Sequence, residues 1–293
     1  MKKSLVLLPI MFILPLSSCT IELGDFGLGE SKNSVTTSTI ESVESTHSVE
    51  SVQSENSIES AESQPTSTAS TSIQYTGPYY NSIDSTKTGA ALLADLQTLM
   101  FSTHSKYCSY GDIRSKFKES DKDPKKSGNI ICFYSHQSMN GTWDQGTTYN
   151  REHVWPKASS GGLYNTMSGN DYVGAGSDLH HIRPAKTEVN SDRGNSKFGN
   201  YIPEDFAKGD CARICLYLYT HYSTSVNGTG SLKSTYAGNL VLTNVFTSIA
   251  TLKEWNRLDP VDELEMARNN YLQTYQGNRN PFIDHPEWVD QVI

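Results

Sequence analysis

Three short runs hold most of the residues able to do chemistry: Tyr149-Asn150-Arg151-Glu152-His153-Val154-Trp155-Pro156, Ser177-Asp178-Leu179-His180-His181-Ile182-Arg183-Pro184 and Glu188-Val189-Asn190-Ser191-Asp192-Arg193-Gly194-Asn195. A neutral imidazole can take a proton from water, a carboxylate and an amide can hold one hard divalent cation, and an arginine matches phosphate oxygens. These are the parts needed to hydrolyse a phosphodiester.

Several of these residues carry competing readings. Glu152 can hold a metal or pair with Arg151 at the surface. Asn190 and Asn195 compete for the amide-ligand role, and either can cap a helix end; motif register favours Asn190. His180 and His181 invite a zinc site with His153, and with it a zinc-dependent hydrolase. Adjacent histidines on a strand diverge, however, and no usual short zinc spacing accompanies them, so they read as structural or substrate-side groups. Arg183 and Arg193 can steady a transition-state phosphate, or equally serve a helix terminus or a carboxylate pair. Asp178 reads as orienting a neighbour or capping a turn.

The elements that must position these groups are legible in outline. Residues 130–134, 152–155 and 179–182 lean toward β, and Pro184 permits a helix start that would carry Glu188 and Asn190. Leu92, Leu93, Leu96, Leu99 and Met100 recur at helical spacing, as do Cys211, Ile214, Cys215, Leu218 and Tyr222. Asp259-Pro260 reads as an N-cap with Pro at N1, opening a helix that ends at Gly277. One tension remains. Neighbours on an ideal strand point to opposite faces, so Glu152 and His153 call for a strand end or a distortion between them.

Composition divides the 293 residues into three. In residues 1–18, Lys2 and Lys3 precede an apolar run from Leu5 to Leu16 that is too short to span a membrane, which is the pattern of an export signal. Leu16-Ser17-Ser18-Cys19 resembles the cleavage box of bacterial lipoproteins, in which the cysteine becomes the lipidated first residue; an ordinary secretory signal is the alternative. Residues 19–74 are rich in Ser, Thr and Glu, with no aromatic residue between Phe26 and Tyr75. That composition reads as a disordered tether whose root-mean-square span is on the order of 40 Å. Residues 75–293 suit one α+β domain, helix-rich at both ends.

The net charge of −8 belongs mostly to the first two segments, which hold three of the 24 Lys plus Arg and nine of the 32 Asp plus Glu. The domain is left at −2. Any phosphate binding must then be local, through Arg151, Arg183, Arg193 or Lys197. Cys108, Cys132, Cys211 and Cys215 permit three disulfide pairings, with buried free thiols as the alternative. The late aromatic residues sit at core spacing, which leaves substrate preference unread.

The three runs, with Phe198-Gly199 and the tail Gly277-Asn278-Arg279-Asn280-Pro281-Phe282-Ile283-Asp284-His285-Pro286-Glu287, resemble the bacterial endonuclease I family of ββα-metal (His-Me finger) nucleases, in order and across the whole domain. The resemblance implies a helix-rich α+β domain built around a ββα-metal core. It implies an exported nuclease of low sequence preference that cuts DNA, and often RNA, to 5′-phosphate products. His153 matches the general base, Glu152 the carboxylate ligand and Asn190 the amide ligand of one Mg²⁺, for which Mn²⁺ is the expected substitute. Nucleic acid and, through a lipidated Cys19, a membrane are the expected partners, with no obligate protein partner. A catalytically degenerate cell-surface binding protein and the zinc hydrolase using His153, His180 and His181 stand as alternatives.

Overall fold

A computed structural model describes residues 73–158, 163, 169–223, 226 and 240–293. The export signal and all of the tether before residue 73 lie outside the described residues. The elements run α1 (Gly89–Thr103), α2 (Ile113–Ser120), β1 (Asn129–Ile131), β2 (Ser138–Asn140), β3 (Tyr149–His153), β4 (Ile182–Lys186), α3 (Thr187–Arg193), α4 (Lys208–Tyr222), α5 (Ile249–Leu258), α6 (Glu263–Gln276), α7 (Pro281–Asp284) and α8 (Trp288–Val292). The architecture is α+β, with two antiparallel strand pairs among the described residues, β1–β2 and β3–β4.

Helix α4 is the centre. From Gly209 to Leu218 every residue is buried, as are Thr220, His221 and Tyr222. A helix buried on every side is covered on every side, and α1, α5 and α7 pack on it, while its buried Asp210 and Arg213 are ion-paired. Its neighbours Leu92, Leu96, Met100, Trp155, Phe198, Phe246 and Phe282 are fully buried. A second cluster, formed by Ile113, Phe117, Ile130, Cys132, Tyr149, Leu179, Ile182 and Leu272, seats α2 and α6 against the two strand pairs. Among the described residues no helix is long and apolar enough to cross a membrane.

Two sequence expectations need correction. The helix expected to open at Asp259-Pro260 instead begins at Glu263, and its N-cap is Asp262, whose side chain accepts from the Glu265 amide. Asp259 ends the preceding α5, and its carboxylate accepts from the Gly209 amide at 2.8 Å. Gly277 does stop α6, at φ 94°. The second correction concerns His180 and His181, which lie in the turn before β4, and Pro184, which sits within β4 opposite Arg151. The carbonyl of Pro184 accepts from the Phe133 amide at 2.8 Å, so its backbone faces away from β3 and the missing N–H costs no ladder bond. The helix therefore starts at Thr187.

Candidate active site

Strand β3 pairs with β4 in the register Tyr149↔Lys186, Arg151↔Pro184, Glu152↔Arg183 and His153↔Ile182. Helix α3 follows β4 directly and packs on both strands. His153 is the last residue of the ladder, so of the strand end or distortion expected here the strand end is met; the pleat itself stays regular through Glu152 and His153, which counts against both acting at one point from within the strand. Side-chain contacts alternate through the pair. Glu152 turns toward Tyr134 and Arg193, whereas His153 turns toward Gly176 and Tyr110.

Glu152 is 4% exposed. It accepts from the Tyr134 hydroxyl at 2.8 Å, and the Arg193 guanidinium stands 3.6 Å away. Burial raises its carboxyl pKa to about 7, more than Arg193 and Tyr134 lower it. It is a hard oxygen donor short of positive charge. Arg193, 1% exposed, donates mainly to backbone, to the carbonyls of His153 (3.3 Å), Val154 (2.6 Å) and Gly194 (3.1 Å). It thereby fastens the end of α3 to the end of β3. Asn190 lies one helical turn before Arg193 and so shares its face toward Glu152; it is half-buried, while Asn195 is exposed beyond the helix end.

His153 is 8% exposed, and its Nε2 lies 3.0 Å from the Gly176 carbonyl. A carbonyl only accepts, so Nε2 carries the proton and Nδ1 keeps its lone pair. Burial, then the neighbouring His181, hold the imidazole pKa well below the usual range, against the pull of the Gly176 bond. A neutral imidazole with a fixed tautomer is a competent base.

The His181 ring stands 5.4 Å from the His153 ring, yet the nitrogens of His180 and His181 are turned to backbone groups. His181 Nε2 faces the backbone of Trp155, with its amide at 2.9 Å and its carbonyl at 3.1 Å, and His180 Nε2 faces the Asn278 carbonyl at 3.3 Å. Asp178 both caps and orients. Its Oδ1 accepts from the His180 amide (2.8 Å) and Gln276 (3.1 Å), and its Oδ2 from the hydroxyls of Tyr217 and Tyr222, both at 2.7 Å. Together with His104 and His221 it forms a buried group whose ligand atoms lie within 4.8 Å of one another, a spacing that could hold a metal ion. Both carboxylate oxygens are already supplied with donors, and His104 Nδ1 meets His221 Nε2 at 3.0 Å, so the group is knit together by hydrogen bonds.

Arg183 is held by Asp121 at 2.9 Å and Asp210 at 3.4 Å, over the Phe133 ring. That is the carboxylate-pairing arrangement among the three readings open to it. The four cysteines Cys108, Cys132, Cys211 and Cys215 are free and buried. Sequence reasoning missed Tyr134 and the Gly176 carbonyl. A lone tyrosine in a β-leaning run has no pattern to mark it, and a backbone acceptor has none at all.

A sequence model described as Endonuclease I matches residues 88–202 and 200–287. Similar curated proteins include an "Extracellular ribonuclease" of Bacillus subtilis (strain 168), 36% identical over 74% of this chain and 78% of that protein. Another, of Bacillus amyloliquefaciens, is 37% identical over the same shares. A "Periplasmic deoxyribonuclease" of Aeromonas hydrophila is 26% identical over 55% of this chain and 67% of its own length.

Proposed function

The chain belongs to the endonuclease I family and is a nuclease, a phosphodiester hydrolase, and from that premise we propose an exported, metal-dependent endonuclease of low sequence preference with His153 as its general base. The observation that carries the reading is the commitment of His153 Nε2 to the Gly176 carbonyl, which leaves Nδ1 to take a proton from water. Glu152 and Asn190 are the proposed metal ligands, on a β3–β4–α3 unit read as the ββα-metal core. The donor set fits a hard cation: a carboxylate short of positive charge, and an amide on the α3 face toward it. Bound Mg²⁺ would supply charge stabilisation at the phosphate and the leaving 3′ oxygen. Arg193 holds the end of β3 against α3, and so sets the spacing between the base and its metal side.

The relatives sharing most of this chain are named ribonucleases, and others deoxyribonucleases, so both polymers belong in the test. Cleavage of plasmid DNA and of total RNA is expected to stop in EDTA and to return with Mg²⁺ or Mn²⁺, with Zn²⁺ serving poorly. Return with Zn²⁺ alone would move support to a histidine-ligated hydrolase, and no cleavage under any metal to a degenerate binding protein. Export rests on residues 1–18, and anchoring on a lipidated Cys19.

A further inference from the structure

Each buried arginine of the domain has a carboxylate within ion-pair distance: Asp121 for Arg183 and Arg268, Glu265 for Arg213, Asp284 for Arg279 and Glu152 for Arg193. Arg151 differs. Its guanidinium carbon stands 3.7 Å over the Tyr110 ring and 5.3 Å from the Trp143 ring. Its Nη1 donates to the Tyr110 carbonyl and, at 3.4 Å, to Asn170 Oδ1. Neither acceptor is charged. Among the described residues no carboxylate lies within ion-pair distance of Arg151, and residues 159–168 contain no Asp or Glu. The charged side chain that bears on it is a like one, Arg114 of α2. Nearby Asp112 takes the Ser109 hydroxyl at 2.8 Å.

Position gives this cation a use. Strand alternation puts Tyr149, Arg151 and His153 on one face of β3 and Glu152 on the other. The Tyr110 ring lies against both groups of that face, with the Arg151 guanidinium over it at 3.7 Å and the His153 ring 5.2 Å from it. An anion completing Arg151 would therefore lie beside the imidazole. A half-desolvated guanidinium facing a like charge is costly until an anion arrives. Its planar fork matches phosphodiester oxygens, and the Tyr110 ring it stacks on holds that fork in place in advance.

We propose that Arg151, stacked over Tyr110 with Trp143 near it, binds a backbone phosphate of the nucleic-acid substrate next to the point of attack, a role that rests on the reading of His153 as base. Arg114 and Lys118, one turn apart on α2, continue the positive flank away from that point, and Lys118 donates to Thr142 beside Trp143 at 3.2 Å.

The test is equilibrium binding of a fluorescein-labelled single-stranded DNA in EDTA across a salt series, with wild type, Arg151→Gln, Arg151→Lys and His153→Ala. Arg151→Gln should bind about 10-fold or more weakly at low salt. Its slope of log affinity against log salt should be shallower by about 0.7, the share of one phosphate on a single strand. Arg151→Lys should keep the slope but lose kcat/KM, because an ammonium cannot supply the fork. His153→Ala should keep the wild-type slope while losing cleavage, which separates failure at Arg151 from failure of the base. A folded Arg151→Gln with the wild-type slope overturns the proposal. If that variant does not fold, phenylglyoxal modification of the wild type decides: DNA should protect Arg151, and equal labelling with and without DNA overturns it. Wild-type protein that neither binds nor cleaves overturns this role together with the function it rests on.

Discussion

At the scale of the residue, His153 and Glu152 divide the proposed labour across a strand that alternates normally. The two side chains are neighbours in sequence and face different surroundings, one against Gly176 and Tyr110, the other against Tyr134 and Arg193. If both serve one phosphate at the strand's end, each is separately indispensable. His153→Ala is expected to lower turnover by roughly 10²–10⁴-fold, the usual worth of a general base. Glu152→Gln should abolish metal-restored cleavage, because an amide cannot supply the charge that holds the ion. Steady-state assays of the two variants decide between them: whichever keeps near wild-type turnover loses its assigned role.

At the scale of the element, the domain depends on how its helices end. Asp262 caps α6 through the Glu265 amide at 2.8 Å; Asp262→Ala should cost about 1 kcal/mol, a fall in Tm of about 2–4 °C for a domain of this size. Gly277 closes the same helix at φ 94°, and a Cβ there would stand 2.2 Å from the Thr103 carbonyl oxygen. Gly277→Ala should therefore cost roughly 2 kcal/mol or more, from left-handed strain plus the clash. Urea denaturation of both variants checks the order. A larger loss for Asp262→Ala would show that the cap, not the turn, governs this end of the fold.

At the scale of the whole molecule, the buried neutral histidines make stability depend on pH. Burial holds the pKa of His180 down to about 3 and that of His181 down to about 4, from an ordinary 6.5. Below pH 6.5 the unfolded chain takes protons that these imidazoles refuse in the fold, so their contribution is lost as the medium turns acid. Raised carboxyls elsewhere, Asp259 among them at about 6, act in the opposite direction and cancel when a variant is compared with wild type. Relative to wild type, His180→Gln should gain about 1.4 kcal/mol per pH unit between pH 6 and 4. Urea midpoints at pH 7, 6, 5 and 4 measure it, and a constant difference would mean that His180 is already charged in the fold. The other end of the chain has its own outcome. Cys19→Ala should release the protein from the membrane fraction without changing catalysis, because no proposed catalytic residue precedes Tyr75; wild-type protein found wholly in the medium would remove the anchor.

The sequence by itself determined the family, through four runs in order, and the main helices, through the spacing of Leu92 to Met100 and Cys211 to Tyr222. Both are short-range signals. Helical period and motif register are written in neighbouring residues, and a buried helix such as α4 needs no distant partner to be recognised. The fate of each charge was not legible there. Arg183 meets Asp121, Arg213 meets Glu265, and the Asp178 oxygens meet Tyr217, Tyr222 and Gln276 across 39 to 98 residues of chain. The same holds for the Gly176 carbonyl that sets the tautomer of His153, and for the Tyr110 ring under Arg151. Only tertiary packing decides which buried polar group lies against which, because hydrogen bonds and ion pairs are satisfied through space, and their cost when left unmade selects partners that no local pattern encodes.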